Sequence, residues 1–355
     1  MIPIAKPLLG KEEEKAVIEV LRSGKLAQGE KVAEFEGAFA KYSGTKYAVA
    51  TDNGTTALMV ALIAAGIGSG DEVITSPFTF IATANSILFT GAKPVFVDID
   101  PETYNIDSAK IKAAVTKKTK AILPVHLYGL MADMPAINKI AKKHNLLVIE
   151  DAAQAHGADI DRKKAGSWGL VGTFSFYPTK NMTAGEGGMV TTNDETLAKK
   201  ASIFRNQGME KRYYHDILGY NFRMTDIAAV IGIEQLKKLE GFTKKRIQNA
   251  KYLTEKLKNV KSVATPTVPD GYRHVFHQYT VRTANRRYLI SKLEQAGVGY
   301  GIYYPVPLHK QKALPPSKRE TKAPVSEKIA KQVLSLPIHP SLSSKDLETI
   351  VGALK

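Results

Sequence analysis

The sequence has no cysteine among its 355 residues, so a disulfide framework, a thiolate nucleophile and cysteine-ligated zinc are all excluded, and any catalysis must rest on other groups. It also lacks an apolar run near the ~20 residues that a membrane-spanning helix requires. No apolar stretch follows Met1, so neither secretion nor membrane spanning is expected and the chain is placed in the cytoplasm. Without a secretory signal, the glycosylation-like triplets Asn53-Gly54-Thr55 and Asn181-Met182-Thr183 carry no such meaning. Internal repeats and low-complexity tracts are absent too.

Acidic residues are outnumbered, 34 Asp and Glu against 50 Lys and Arg, for a net charge of +16. Such a field suits nucleic acid, an anionic membrane surface or a phosphorylated substrate. Nine of the cations (Lys237, Lys238, Lys244, Lys245, Arg246, Lys251, Lys256, Lys258 and Lys261) lie in one stretch with apolar residues at helical spacing between them. That pattern reads as the solvated face of a helix. No aromatic interleaving or reader motif accompanies it, so neither a nucleic-acid nor a membrane partner is expected.

A composition of 44% hydrophobic and 24% charged residues is that of an ordinary globular protein. The length exceeds the roughly 100–150 residues of one domain, which argues for a large and a smaller domain. From 47 to 192, β-rich runs (47–51, 73–76, 94–98, 121–125, 146–151, 173–177 and 189–192) alternate with helical patterns. The alternation predicts an α/β fold with a mostly parallel sheet flanked by helices. A long amphipathic helix is expected over about 226–260. The boundary is set near 240, giving a large domain of 1–240 and a smaller α+β C-terminal domain of 241–355. In the latter, 275–282 reads as a strand, 285–296 and 343–354 as helices, and 314–322 as a polar loop. The first 40 residues read as helix plus loop on the main body, with residues 1–20 within reach of the small domain.

Ligands of such sheets sit beyond the carboxyl ends of the strands, so the residues just after each strand merit attention. Lys180 follows the run Thr173–Pro178 and opens a glycine-rich turn. A partly desolvated lysine there can lose its proton and attack a carbonyl to form a Schiff base. Asp151 closes the apolar run 146–151, with Gln154 three residues on. It has two readings, a helix N-cap or the carboxylate that a pyridinium nitrogen requires in pyridoxal phosphate (PLP) chemistry. The run Asp52-Asn53-Gly54-Thr55-Thr56 precedes an apolar helix and reads either as a plain N-cap or as a phosphate site built from backbone N–H groups and hydroxyls. Gly66, Gly68 and Gly70 fall between helix and strand, the wrong order for a dinucleotide fingerprint.

Five blocks, 53–58, 77–80, 150–154, 174–181 and 219–224, occur in the order and at about the separations of the DegT/StrS family of nucleotide-sugar aminotransferases, which the chain resembles over nearly its whole length. The resemblance implies a fold type I PLP-dependent transferase that works as a homodimer with shared active sites. Carried over by position, Lys180 is the Schiff-base lysine and proton shuttle, and Asp151 pairs with the pyridinium nitrogen. Gln154 approaches the ring oxygen and Phe80 stacks on the ring. Thr55, Thr56 and Ser175 hold the phosphate, joined by Asn221 from the neighbouring subunit. Before the resemblance is considered, Phe80 reads first as a core aromatic at a helix start, and the resemblance reverses that reading.

Arg223 has two readings, contact to an anionic substrate or a structural pair. His309 likewise lies where the family brings residues toward the sugar, or is a satisfied structural histidine. His126 is assigned no role. The implied reaction moves an amino group from L-glutamate, through pyridoxamine phosphate, to a nucleotide-linked keto sugar, leaving 2-oxoglutarate. A non-nucleotide ketone such as a cyclitol is an alternative acceptor. Relatives that act as dehydratases carry histidine where this chain has Lys180, and a basic DNA-binding regulator would have no use for Lys180, Asp151 and Ser175 together.

Overall fold

The computed structural model describes residues 1–315 and 321–355. Residues 316–320, most of the expected loop at 314–322, lie outside the described residues. Helices α1 (Lys11–Ser23) and α2 (Glu30–Ser43) precede the sheet, each ending at a glycine, Gly24 and Gly44, with positive φ. Left-handed caps of this kind stop a helix at little steric cost.

Seven strands form the central sheet: β1 (Tyr47–Thr51), β2 (Glu72–Thr75), β3 (Lys93–Phe96), β4 (Thr119–Leu123), β5 (Leu147–Asp151), β6 (Val171–Ser175) and β7 (Gly188–Thr192). Each begins within two residues of the expected position. Their order is β1-β7-β6-β5-β4-β2-β3, and β7 alone runs antiparallel to its neighbours. Helices α3 (Gly54–Ala64), α4 (Ile81–Phe89), α5 (Ser108–Ala114), α6 (Met134–His144) and α7 (Glu195–Arg205) complete the large layer structure. Alternation along each strand separates two cores. Ile74, Ile122, Val148 and Phe174 face α2, α6 and the next long helix, whereas Val73, Ala121, Ile149 and Val171 face α3 and α7. A sheet covered on both faces makes its strands nearly continuous apolar runs, which is why they are legible in the sequence.

Helix α8 (Asp226–Leu257) is a single 32-residue element, ~48 Å long, and position 240 falls near its middle. Its first half packs with α1 and α2, and its second half, through Ala250, Leu253 and Leu257, enters a third core. That core joins β8 (Tyr279–Arg282), α9 (Arg286–Gln295), β9 (Val333–Leu336) and α11 (Ser344–Leu354), while α10 (Pro324–Gln332) leads into β9. The basic stretch is less uniformly solvated than the sequence suggests. Arg246 is buried, its Nη1 donating to the carbonyls of Phe276 and His277, and Lys238 pairs with Glu12 and Glu13 of α1. The strand expected over 275–282 is confined to 279–282, because Val275 and Gln278 donate their N–H groups sideways to Gly129 and Tyr128 instead of along a ladder. The first residues also reach the third core: Ile2 exchanges backbone bonds with Gly297 and Gly299, and Pro3 accepts from His339.

Candidate active site

Asp151, the last residue of β5, is 5% exposed. No α-helix follows it, so the helix N-cap reading is overturned. Its Oδ2 accepts from Thr83 Oγ1 at 2.8 Å and its Oδ1 from Ala153 N at 3.2 Å. Burial pushes this carboxyl above the usual range, while the Thr83 and Ala153 bonds and the nearby Lys180 and His126 pull it down. A buried carboxylate with two donors and an elevated pKa is a group waiting for a cationic partner.

Lys180 sits just beyond β6, after Pro178 has ended the strand. The loop is fixed by Lys180 N to Tyr177 O (2.9 Å), Ala184 N to Phe176 O (3.0 Å) and Asn181 Nδ2 to Val275 O (3.1 Å). Burial pushes the ammonium down to about 8 against the opposing pull of Asp151. Behind it His156 and His277, both fully buried, are held neutral far below the usual histidine value, with burial the main cause and Lys180 adding to it. A lysine of this kind carries a sizeable fraction of free amine near neutral pH.

The third component is a cup at the start of α3. Asn53 caps the helix, its Oδ1 accepting from Thr56 N at 3.0 Å, and Thr56 Oγ1 donates to Asp52 Oδ1. Thr56 is thereby spent inside the cap. The first-turn N–H groups of Gly54 and Thr55 have no acceptor within the helix. A Cβ on Gly54 would lie 2.6 Å from Ser175 Cβ and 3.0 Å from its Oγ, so glycine is what lets α3 close against Ser175. Free N–H groups, a helix dipole and two hydroxyls, Thr55 and Ser175, suit a phosphate. Together the cup, the buried carboxylate and the depressed lysine fit PLP.

Phe80 caps the start of α4 and is 54% exposed, so it is not a core aromatic. Its ring lies 6.1 Å from that of Tyr304, a residue from the C-terminal part of the chain. Gln154 is buried, with Oε1 accepting from Tyr128 N at 2.7 Å and Nε2 donating to Tyr304 Oη at 3.2 Å. Thr83, Tyr128 and Tyr304 carried no signal in the sequence. Thr83 lies within an apolar helix and Tyr304 stands 150 residues from Gln154.

The other candidates lie on segments that border this cluster, since Asp52 N donates to Phe222 O at 3.0 Å. Asn221 is exposed, in a backbone bridge with Asn206, and Arg223 Nη1 donates to Asn206 Oδ1 at 2.9 Å. His309 Nε2 meets Glu327 Oε1 at 2.9 Å, while its buried Nδ1 has no partner among the described residues. The preceding Leu308 N donates to Pro77 O at 2.7 Å, close in sequence to Phe80. His126 is structural: its Nδ1 accepts from Ala132 N, so Nε2 carries the proton toward Glu150, whose carboxylate also accepts from Gly166, Trp168 and Gly169.

Residues 7–355 match the DegT/DnrJ/EryC1/StrS aminotransferase family. A pleiotropic regulatory protein of Geobacillus stearothermophilus is 48% identical over 94% of this chain and 91% of its own length. A UDP-N-acetyl-3-dehydro-alpha-D-glucosamine 3-aminotransferase of Acidithiobacillus ferrooxidans is 44% identical over 95% of this chain and 91% of its own. Among solved structures, DesV of S. venezuelae in complex with a ketimine intermediate superposes with a TM-score of 0.93 at 37% identity, covering 97% of this chain and 93% of that one.

Proposed function

The chain belongs to the DegT/DnrJ/EryC1/StrS aminotransferase family, whose cofactor is PLP, and from that premise we propose that it moves the amino group of L-glutamate to a keto sugar carried on a nucleotide, as a cytoplasmic homodimer. The observation that carries the reading is the convergence of Lys180, Asp151 and the Gly54–Ser175 cup on one sheet edge. When bound, the cofactor supplies an electron sink for the carbanion formed at the substrate carbon.

Lys180 Nζ would hold the cofactor and, as a free amine, would move a proton to and from the substrate carbon. An amine near pKa 8 can both accept and release a proton close to neutral pH. Asp151 would keep a proton on the ring nitrogen, because a cation facing its buried carboxylate offsets the desolvation that burial imposes. The N–H groups of Gly54 and Thr55 and the hydroxyls of Thr55 and Ser175 hold the phosphate. Thr56 contributes by stiffening the cap. Phe80 would cover one face of the ring and the second N–H of Gln154 would approach the ring oxygen.

Asn221 is assigned to the neighbouring subunit's phosphate. In support, Asn221 is exposed and follows the hairpin at 209–215, where Tyr213 and the nearby Leu218 are 75% and 78% exposed, an apolar surface that a second copy would cover. Arg223 and His309 are assigned to the sugar nucleotide. We take the large and small domains to divide near 240, within α8. The Acidithiobacillus relative is named for a UDP-linked 3-dehydro sugar, which favours a nucleotide-linked acceptor over a cyclitol, and a DNA-binding role is not favoured by aminotransferase relatives.

The test is an absorption spectrum of the PLP-loaded protein before and after L-glutamate, followed by a screen of UDP-, GDP- and dTDP-linked keto sugars. Loss of the visible band on adding glutamate and its return with one acceptor would support the reading. A protein that forms no visible band with PLP would overturn it.

A further inference from the structure

The segment 301–309 brings Tyr304 to the site from the far part of the chain. Gly301 exchanges backbone bonds with Ser335 at 3.0 and 2.8 Å, Leu308 N donates to Pro77 O at 2.7 Å, and the Tyr128 hydroxyl donates to the Tyr303 carbonyl. So anchored, Tyr304 lies beside Phe80, with rings tilted by 37°, and accepts from Gln154 Nε2. The orientation of that amide follows from chemistry. Tyr128 N–H can only donate, so the atom facing it at 2.7 Å must be the amide oxygen. The amide nitrogen then faces Tyr304. One of its two N–H groups goes to the phenol and the other has no acceptor among the described residues. Burial raises the Tyr304 pKa, with Asp151 and Tyr303 adding to it and the Gln154 bond opposing, so the phenol stays protonated throughout the working range.

We propose that Tyr304 is a positioning residue: by accepting one N–H of Gln154 it aims the second at the phenolic oxygen of the cofactor ring. This rests on the aminotransferase reading and on the place given there to Gln154. A donor at that oxygen draws electron density from it. The lysine nitrogen joined to the cofactor shares its proton with the same oxygen, so a well-aimed amide lowers the basicity of that nitrogen. The phenol thus makes the small-domain segment part of the electrostatic setting of Lys180. The other titratable groups facing this corner are Asp151 at the end of β5, Tyr128 and Tyr303, with His126, His156 and His277 behind.

Tyr304→Phe removes the hydroxyl and leaves the ring against Phe80. In the PLP-loaded protein, the pH midpoint of the visible absorbance change is expected to rise by about half to one unit, the worth of one neutral hydrogen bond. The value of kcat with L-glutamate should fall about threefold to tenfold, with the melting temperature unmoved. In a Gln154→Ala background, adding Tyr304→Phe should shift the midpoint no further, because the phenol acts through the amide. An unshifted midpoint in Tyr304→Phe, or equal shifts with and without Gln154, would overturn the inference alone. Absence of any visible band in the wild-type protein would overturn the aminotransferase reading along with it.

Discussion

Thr83 Oγ1 donates a 2.8 Å hydrogen bond to Asp151 Oδ2, joining the buried face of α4 to the end of β5. Both residues are at most 5% exposed, so no water stands ready to replace the hydroxyl. Thr83→Val keeps the shape and removes that donor, which raises the Asp151 pKa further and weakens its hold on a protonated ring nitrogen. A bond to a charged group is worth ~1.5–3 kcal/mol. Affinity for PLP, measured by equilibrium dialysis, is expected to fall about tenfold to a hundredfold, and an unchanged affinity would detach Asp151 from cofactor binding.

Covalent capture of PLP by the apo-protein needs the free amine of Lys180. Its rate in stopped flow should climb as pH rises through about 8 and then level off. Because the Asp151 carboxylate holds the Lys180 pKa up, Asp151→Asn should move that midpoint to lower pH. A midpoint displaced upward would contradict the electrostatics derived for the pair.

Gly54→Ala tests the cup. The new methyl would press on Ser175 Cβ at 2.6 Å and on its Cα at 3.2 Å, and backbone contacts of that kind cannot yield cheaply. Overpacking costs ~1–3 kcal/mol. The melting temperature should drop by several degrees and PLP affinity by at least about tenfold; retention of both would mean that the approach of α3 to β6 is not what forms the phosphate site.

Acid sensitivity has an identifiable source in His156, which is surrounded by Phe39, Phe174 and Phe176, with a backbone bond to Ser175 only partly opposing the effect of burial. Burial lowers its folded pKa to about 3, while the unfolded chain titrates near ~6.5. Between these values the unfolded state binds more protons. The stability is therefore fully present above about 6.5 and is lost progressively as pH falls toward 3. In His156→Leu the difference between melting temperatures at pH 7.5 and pH 5 should narrow; an identical difference would place the acid sensitivity elsewhere, for example in His274, which has a similarly lowered pKa.

Leu218, 78% exposed beside the 209–215 hairpin, offers a test of the homodimer. Leu218→Glu is expected to shift the sedimenting species toward the monomer and to reduce activity in parallel, because Asn221 would no longer reach a second phosphate site. Wild-type sedimentation in the variant would move the subunit contact off this surface.

The seven-stranded sheet was readable because strands buried on both faces must be apolar throughout, and runs such as 121–125 and 146–151 carry that mark without reference to anything distant. Lys180, Asp151 and Gly54 were readable as candidates for a related reason: each lies at or just past the end of a strand, where the topology of a parallel sheet gathers ligands. The resemblance to a family then turned three individually weak signals into one site. Other readings failed where local pattern met a tertiary demand. Arg246 reads as one cation of a solvated stripe, yet its donors are taken up by carbonyls of the 276–277 loop. The strand expected over 275–282 is shortened for the same reason, because Val275 and Gln278 donate to Gly129 and Tyr128.

The sequence by itself determined the order of strands and helices, the lysine and the carboxylate, and the chemical class that follows from them, because these depend on period, on residue type and on position at a strand end. Only the tertiary structure decided which groups tune them. Thr83 meets Asp151 across 68 residues and Tyr304 meets Gln154 across 150. Such pairs are fixed by the packing of α4 on the sheet and of the C-terminal segment on Pro77 and Tyr128, and a hydrogen bond between distant residues leaves no periodicity in the chain from which it could be read.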